Sequence, residues 1–270
     1  MILVNGKSGA AIDPRDRGLC YGDGVFRTLR LRDGRVLLWQ RQYARLAADC
    51  AALKMACPPR EALESDIAQI VPVHPDGVIR LTVTRGIAPR GYAIPGVASV
   101  TRVTAWSPAP VAAAPGGDGV RVRWCHLRLA VQPALAGIKH LNRMENVLAR
   151  AEWSDTGIFE GLLRDAGGGV IGGTMSNLFL FRAGTLITPA LDSCGVAGVT
   201  RDLILEQAHR EAITTRIAHV TPDEVVAADA VLLVNSVIGA VQVAALDQTT
   251  WQSSEILDCF RRWIAHAEAH

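Results

Sequence analysis

The chain of 270 residues lacks clustered positive charge and long apolar runs. Its formal net charge is only +2, and its arginines are scattered rather than clustered. A broad nucleic-acid surface needs Lys and Arg gathered on one face, so we expect no nucleic-acid partner. No apolar run reaches the roughly 20 residues that span a bilayer, so we expect no membrane partner either.

The six cysteines lack the spacings that would give them a special role. They form no Cys-x-x-Cys pair, and no His/Cys group has the spacing of a zinc site, so we expect no metal. Most of them lie within apolar patterns, where a free thiol behaves as a small hydrophobe. The segment Met1–Gly6 carries no basic region and no cleavage signal. We therefore expect a reducing, cytoplasmic location.

What the sequence does have is a succession of short strands, tight turns and amphipathic helices. Asn5-Gly6 and Asp33-Gly34 are typical of hairpin turns. Trp39, Tyr43, Leu46, Cys50 and Leu53 recur at steps of four and three, which predicts one apolar helix face. Helices are predicted over residues 40–54 and 60–70, after Lys139, from about 199, after the capping box Thr221-Pro222-Asp223-Glu224, and from about 253.

A stretch rich in proline and glycine suggests a division into two domains. Residues 107–119 read SPAPVAAAPGGDG and show no hydrophobic period. We therefore expect a small α+β domain over residues 1–108, an interdomain linker over 109–117, and a larger mixed α/β domain over 118–270. The second domain would carry Lys139.

Lys139 is the most informative candidate for chemistry. It stands where an irregular Pro/Gly stretch meets an apparent helix, and a lysine with restricted solvent can lose its proton and bond to an aldehyde. The segment 195–201 (GVAGVTR) opens a predicted helix, whose free N–H groups suit a phosphate. The segments 21–26 (YGDGVF) and 170–179 (VIGGTMSNLF) also allow close backbone approach. Taken singly, each is explained equally well by an ordinary turn or cap.

Taken in order, these segments resemble the class IV (fold type IV) pyridoxal-phosphate enzymes, which include branched-chain and D-amino-acid aminotransferases and 4-amino-4-deoxychorismate lyase. The resemblance implies a D-amino-acid-aminotransferase-like α/β fold, pyridoxal 5'-phosphate as the cofactor, Lys139 as the catalytic residue and a homodimer. It further implies cofactor contacts by Arg45, Asn177, Val199, Thr200 and Ser236, with Asn177 seating the ring and the others binding phosphate. Substrate contacts are expected from Thr28, Arg90 and Tyr92.

The segment from Lys139 to Arg143 (KHLNR), followed by Glu145, is more similar to the lyases than to the transaminases. The implied activity is release of p-aminobenzoate and pyruvate from 4-amino-4-deoxychorismate in folate synthesis. Two alternatives stay open: an aminotransferase for D- or branched-chain amino acids, and a cofactor-binding protein with little catalysis.

One position departs from the family pattern Val-Ile-Glu-Gly-Thr, because Gly172 stands where the glutamate belongs. In the family that carboxylate keeps the pyridine nitrogen protonated. A charge-assisted hydrogen bond is worth about 1.5–3 kcal/mol, so its loss corresponds to roughly 10- to 150-fold in rate. Asp165, across the turn, is the nearest acidic residue that could replace it.

Overall fold

The computed structural model describes residues 1–96, 99–110 and 119–269, and the chain forms two compact units. The first unit comprises Met1–Val111 and Ile138–Asn142, and the second comprises Ala112–Gly137 and Arg143–His270. The predicted linker comprises residues 109–117, and its residues 111–117 lie outside the described part of the chain. One segment differs from the expected division: Ile138–Asn142 groups with the first unit, because its backbone bonds to a strand of that unit.

The described part of the first unit contains an antiparallel six-stranded sheet in the order β2-β1-β6-β5-β3-β4. Its strands are β1 Ile2–Val4, β2 Lys7–Ser8, β3 Gly24–Arg32, β4 Arg35–Val36, β5 Gly77–Thr84 and β6 Thr101–Ser107. The predicted turns are Asn5-Gly6 and Asp33-Gly34. All four of these residues have positive φ, as such hairpin turns require. Both predicted hairpins are confirmed.

Two amphipathic helices build the core of this unit against the sheet. They are α2 Trp39–Ala52 and α3 Arg60–Ile70, and both were predicted from the sequence. Leu46 and Cys50 are fully buried, and the rest of the predicted stripe packs around them. A five-residue helix, α1 Arg17–Tyr21, was not predicted. It begins where Asp16 accepts a hydrogen bond from the Gly18 N–H, and it ends at Gly22 with φ +65°.

The described part of the second unit contains a nine-stranded mixed sheet. Its order is β12-β11-β10-β13-β14-β7-β8-β9, with β15 paired to β14. The pairs β7–β8, β7–β14 and β11–β12 are parallel, and the others are antiparallel. The strands are β7 Val120–Leu129, β8 Glu160–Asp165, β9 Val170–Gly173, β10 Asn177–Arg182, β11 Thr185–Pro189, β12 Thr214–Ala218, β13 Ala230–Asn235, β14 Gly239–Leu246 and β15 Thr249–Thr250.

The described part of the second unit also contains several helices between and after these strands. They are a 3-10 turn Pro133–Leu135, α4 Met144–Arg150, α5 Val199–Arg210, α6 Pro222–Val226 and α7 Glu255–Ala269. The capping box at Thr221 is confirmed, since both of its reciprocal hydrogen bonds form. Helix α7 buries Ile256, Leu257, Phe260 and Ile264, as its period predicted. Among the described helices, none combines the length and apolarity needed to cross a bilayer.

Candidate active site

Lys139 lies in an extended segment beside strand β3. The Phe26 N–H donates to the Lys139 carbonyl at 3.0 Å, and the Leu141 N–H donates to the Gly24 carbonyl at 2.9 Å. His140 forms an antiparallel bridge with Val25. The expectation that Lys139 stands at the start of a helix is therefore wrong. Its backbone is engaged by β3, and α4 begins only at Met144.

A compact group of side chains surrounds this lysine, and we call Lys139, Phe26, Arg27 and Asp49 the Lys139 cluster. The half-buried Lys139 places Nζ 4.6 Å from the centroid of the Phe26 ring. The Lys139 N–H donates to Asp49 Oδ2 at 3.2 Å, and the guanidinium of Arg27 donates to the same oxygen. The cluster therefore fixes both the backbone of Lys139 and the surroundings of its amine.

Positive charge gathers near this cluster. Burial lowers the pKa of the Arg27 guanidinium, although Asp49 opposes the shift, and the nearby charge of Arg45 lowers the pKa of Arg27 further. Arg45 lies half-buried on α2, beside the apolar stripe as predicted. A cation so placed can neutralise an anionic group.

The glycine-rich segment before β3 is held by a second set of charges. The Asp23 carboxylate accepts from Arg17 Nε at 2.7 Å and from Arg85 Nε at 2.8 Å. Burial alone would raise the pKa of Asp23, but the hydrogen bonds from Arg85 and Arg17 outweigh it and hold that pKa below its usual range. This network fixes the entry to the strand that carries Phe26.

The predicted substrate contacts lie in two places of the first unit. Thr28 is half-buried on β3, on the same side of the strand as Phe26. Arg90 and Tyr92 lie on a loop and are exposed, Tyr92 to 86%. Gly91 between them anchors the loop: its N–H donates to the Tyr21 hydroxyl at 3.2 Å, and its carbonyl accepts from Arg17 at 2.8 Å.

The second unit brings together Asn177, Val199, Thr200 and Ser236, which we call the Thr200 cluster. The hydroxyls of Thr200 and Ser236 lie 3.4 Å apart. Helix α5 begins at Val199 after Gly198, whose lack of a side chain leaves the helix without a side-chain cap. Uncapped N–H groups and the positive end of the helix dipole suit an anion. Residues from three separate segments thus lie together, and their contact with a phosphate stays a prediction.

The side chain of Asn177 bridges two backbone groups of the loop before α5. Its Nδ2 donates to the Val196 carbonyl at 2.7 Å, and its Oδ1 accepts from the Gly198 N–H at 3.1 Å. The side chain therefore shapes the loop that leads into α5. Seating of a cofactor ring by Asn177 stays a prediction.

Gly172 lies in β9, and its surroundings are fitted to glycine. A Cβ at this position would stand 2.9 Å from the Ser176 carbonyl oxygen, which is closer than normal packing allows. Asp165, the acidic residue across the turn, accepts from the Gly169 N–H at 2.9 Å and so is engaged within its own turn.

A carboxylate that the sequence analysis missed organises the turn after β9. Glu160 is fully buried and accepts five hydrogen bonds, from the N–H groups of Gly161, Thr174 and Met175 and from the hydroxyls of Thr174 and Ser176. Gly173 leaves room for it, since a Cβ there would meet Glu160 Oε2 at 2.5 Å. An acidic residue directly before the apolar run Gly161–Leu163 was the available signal.

Arg27 and Asp49 were missed as well. The alternation of β3 puts Arg27 on the same side as Val25, Leu29 and Leu31, which are fully buried. A charged residue at a core-facing position needs a partner, and this was the signal for a buried ion pair.

Comparison with known proteins shows which family the chain belongs to. A sequence profile of the family described as Amino-transferase class IV matches residues 24–246. The chain is 33% identical over 248 residues to an aminodeoxychorismate lyase of Vibrio harveyi, covering 91% of both proteins. It is 30% identical to a putative branched-chain-amino-acid aminotransferase of Methanocaldococcus jannaschii, covering 91% of this chain and 88% of that one.

A solved structure of 4-amino-4-deoxychorismate lyase from Pseudomonas aeruginosa is similar over nearly the whole chain. The sequence identity is 43%, the TM-score is 0.93, and 98% of each chain is covered. The profile match spans most of the chain, from β3 to the end of β14, and includes Lys139 and the Thr200 cluster. The chain therefore belongs to the class IV aminotransferase family.

Proposed function

We propose that the chain is a pyridoxal-phosphate-dependent 4-amino-4-deoxychorismate lyase, which releases p-aminobenzoate and pyruvate. The similarity to the Pseudomonas aeruginosa lyase, at 43% identity over 98% of both chains, is the observation that carries this proposal. The Vibrio harveyi lyase supports the same choice of reaction.

The residues of the chain suit two ends of this cofactor. The amine of Lys139 is the group that bonds to the aldehyde, and Lys139 is one of three lysines in the chain. The uncapped start of α5 with the Thr200 and Ser236 hydroxyls offers donors for the phosphate, and Arg45 offers a positive charge. At Gly172 the chain offers no carboxylate to the ring nitrogen.

When bound, the cofactor supplies an electron sink for the carbon that bears the substrate amine. Lys139 Nζ takes the proton from that carbon and returns a proton later, as general base and then acid. The carbon–oxygen bond between the substrate ring and its enolpyruvyl group then breaks as the substrate ring becomes aromatic, and the released enolpyruvate gains a proton at its methylene carbon to give pyruvate. Arg90 and Tyr92, exposed on their anchored loop, bind a substrate carboxylate, and Thr28 lines the site beside Phe26.

Two specific observations favour second candidates. The 30% identity to the putative branched-chain aminotransferase favours amino transfer by the same lysine. Gly172 favours a protein that binds the cofactor but turns over poorly, because the electron sink is weaker without a protonated ring nitrogen.

The biological setting follows from the proposed reaction. We place the chain in folate synthesis, which uses p-aminobenzoate. We place it in the cytoplasm, and we expect it to act as a homodimer.

The test is to supply the purified, cofactor-loaded protein with 4-amino-4-deoxychorismate and measure p-aminobenzoate and pyruvate. Parallel reactions offer D-alanine or a branched-chain amino acid with a 2-oxo acid. Equal amounts of both lyase products, with no amino transfer, support the proposal. Amino transfer without p-aminobenzoate would show that the chain is an aminotransferase instead. A bound cofactor chromophore without turnover of any substrate would indicate a cofactor-binding protein with impaired catalysis.

A further inference from the structure

The Lys139 cluster contains an ion pair that lies in the core of the first unit. Arg27 in β3 and Asp49 in α2 each expose only 3% of their side chains. Val25 and Leu29, on the same side of β3 as Arg27, are fully buried, and so is Cys50 next to Asp49. The pair joins the helix to the sheet next to the strand residue that bonds Lys139.

A buried ion pair of this kind contributes little net free energy to the stability of a fold. Among the described residues, no partner accepts from Arg27 Nε, so one donor of the buried guanidinium is unsatisfied. Removing two charges from water often costs as much as their attraction returns, and apolar pairs of similar volume commonly serve stability as well.

The other contact of this pair is Lys139. Asp49 Oδ2 accepts from the Lys139 N–H at 3.2 Å, and the Phe26 N–H donates to the Lys139 carbonyl at 3.0 Å. The backbone of Lys139 is thus held on one side by the carboxylate and on the other by β3. Arg27 holds that carboxylate in place, because it donates to the same oxygen.

We propose that Arg27 and Asp49 are positioning residues for Lys139, which fix its backbone so that Nζ stays over the Phe26 ring. This inference rests on the role proposed above for Lys139, but the hydrogen bond it concerns can be measured without any turnover. Neither residue is proposed to touch the substrate.

The first unit offers a matched control in a second Arg–Asp pair. Asp66 in α3 is 1% exposed and accepts from Arg102 Nε at 2.8 Å and from the Thr104 hydroxyl at 3.1 Å. This pair also joins a helix to the sheet, but the segment it holds is β6 rather than Lys139. It separates the loss of a buried ion pair from the loss of the contact to Lys139.

The experiment compares Arg27→Leu/Asp49→Leu with Arg102→Leu/Asp66→Leu in the full chain, with and without pyridoxal phosphate. The readout is hydrogen exchange at the Lys139 amide, with amides of β5 as the internal reference. We expect exchange at Lys139 to be at least tenfold faster in the first variant and unchanged in the second. In the lyase assay, kcat of the first variant should fall about tenfold while KM stays within about twofold.

Wild-type exchange at Lys139 in the first variant would overturn the proposal, whatever the lyase assay shows. If the protein proves not to be a lyase, the exchange result still decides whether the pair holds Lys139. A third variant, Arg27→Gln/Asp49→Asn, keeps a weaker acceptor and should give an intermediate exchange rate. Should the leucine pair fail to fold, this variant decides, and a wild-type rate at Lys139 would again overturn the proposal.

Discussion

The Lys139 cluster and the Thr200 cluster hold their functional groups by different means. In the first, a reactive amine depends on a buried ion pair and on backbone bonds to β3. In the second, neutral hydroxyls and an uncapped helix start provide the donors. Buried charges depend on each other's protonation, whereas hydroxyls and backbone N–H groups do not titrate near neutral pH.

Substitutions in the two clusters should therefore differ in the size of their effects and in how those effects depend on pH. Substitutions in the charged region should act strongly, through the reactive amine or through unpaired buried charges. Substitutions in the neutral region should act moderately and evenly across pH, because each removes one hydrogen bond to an anion.

Replacing the reactive amine should have the largest effect on activity. Lys139→Ala should lower kcat for p-aminobenzoate release by on the order of 10³-fold or more, because general acid–base catalysis and covalent attachment are both lost. Lys7→Ala, at an exposed position of β2, is the matched control and should act like the unaltered chain. Substantial turnover by Lys139→Ala would remove Lys139 from the mechanism.

Removing the carboxylate that pairs with Arg17 and Arg85 should have the largest effect on stability. Asp23→Asn leaves both guanidinium groups without their charge partner and should cost about 3 kcal/mol of unfolding free energy at pH 7. Denaturant titration of both proteins measures this difference.

The same variant should change the dependence of stability on pH. Since the pKa of Asp23 is lowered in the folded chain, its contribution is complete above the unfolded value of about 3.9 and is lost as pH falls through the folded value. Asp23→Asn should flatten the acid limb accordingly. Asp13→Asn, at a carboxylate paired with exposed Arg15, should leave midpoints at neutral pH nearly unchanged. An equally steep acid limb in Asp23→Asn would contradict this account.

Restoring the family's glutamate at Gly172 should not improve the protein. A Cβ there approaches the Ser176 carbonyl oxygen, so Gly172→Ala and Gly172→Glu should each lose about 1–2 kcal/mol of stability. The alanine variant controls for this steric cost. Turnover by Gly172→Glu above that of the unaltered chain would mean that the chain is impaired for want of the carboxylate.

The neutral region should show the smallest effect. Thr200→Val and Ser236→Ala should each weaken pyridoxal phosphate binding about tenfold, since a hydrogen bond to a charged group is worth at least about 1.4 kcal/mol. Equilibrium titration of the cofactor between about pH 7 and 9 should give the same ratio throughout, because neither hydroxyl titrates there. Thr250→Val, at an exposed position, should bind like the unaltered chain. A ratio that varies tenfold over this pH range would contradict the proposed difference between the two clusters.

Much of the fold was predictable because it repeats a local period. Helices α2, α3, α5 and α7 follow apolar periods near 3.6, and the hairpin at Asn5-Gly6 follows its turn chemistry. The five-residue helix α1 was not predictable in this way, because it is too short to show a period. The extended state of Lys139 was also missed, because it depends on pairing with a strand far away in the sequence.

The two regions also differ in how much of each could be predicted. The family resemblance named Thr200 and Ser236 together, and their hydroxyls lie 3.4 Å apart, while their role in binding phosphate stays a prediction. The Arg27–Asp49 pair was not predicted. The core-facing position of Arg27 indicates that it needs a buried partner, but only the packing of α2 against β3 identifies that partner as Asp49.

Reductive trapping tests the assignment of Lys139 most directly. The cofactor-loaded chain is treated with borohydride, and the modified peptide is identified by mass spectrometry, with Lys7, Lys54, Lys139 and the N-terminal amine as the possible acceptors. The account predicts stoichiometric modification at Lys139 and none at the other three amines. Modification of Lys7 or Lys54 with Lys139 left intact would contradict it.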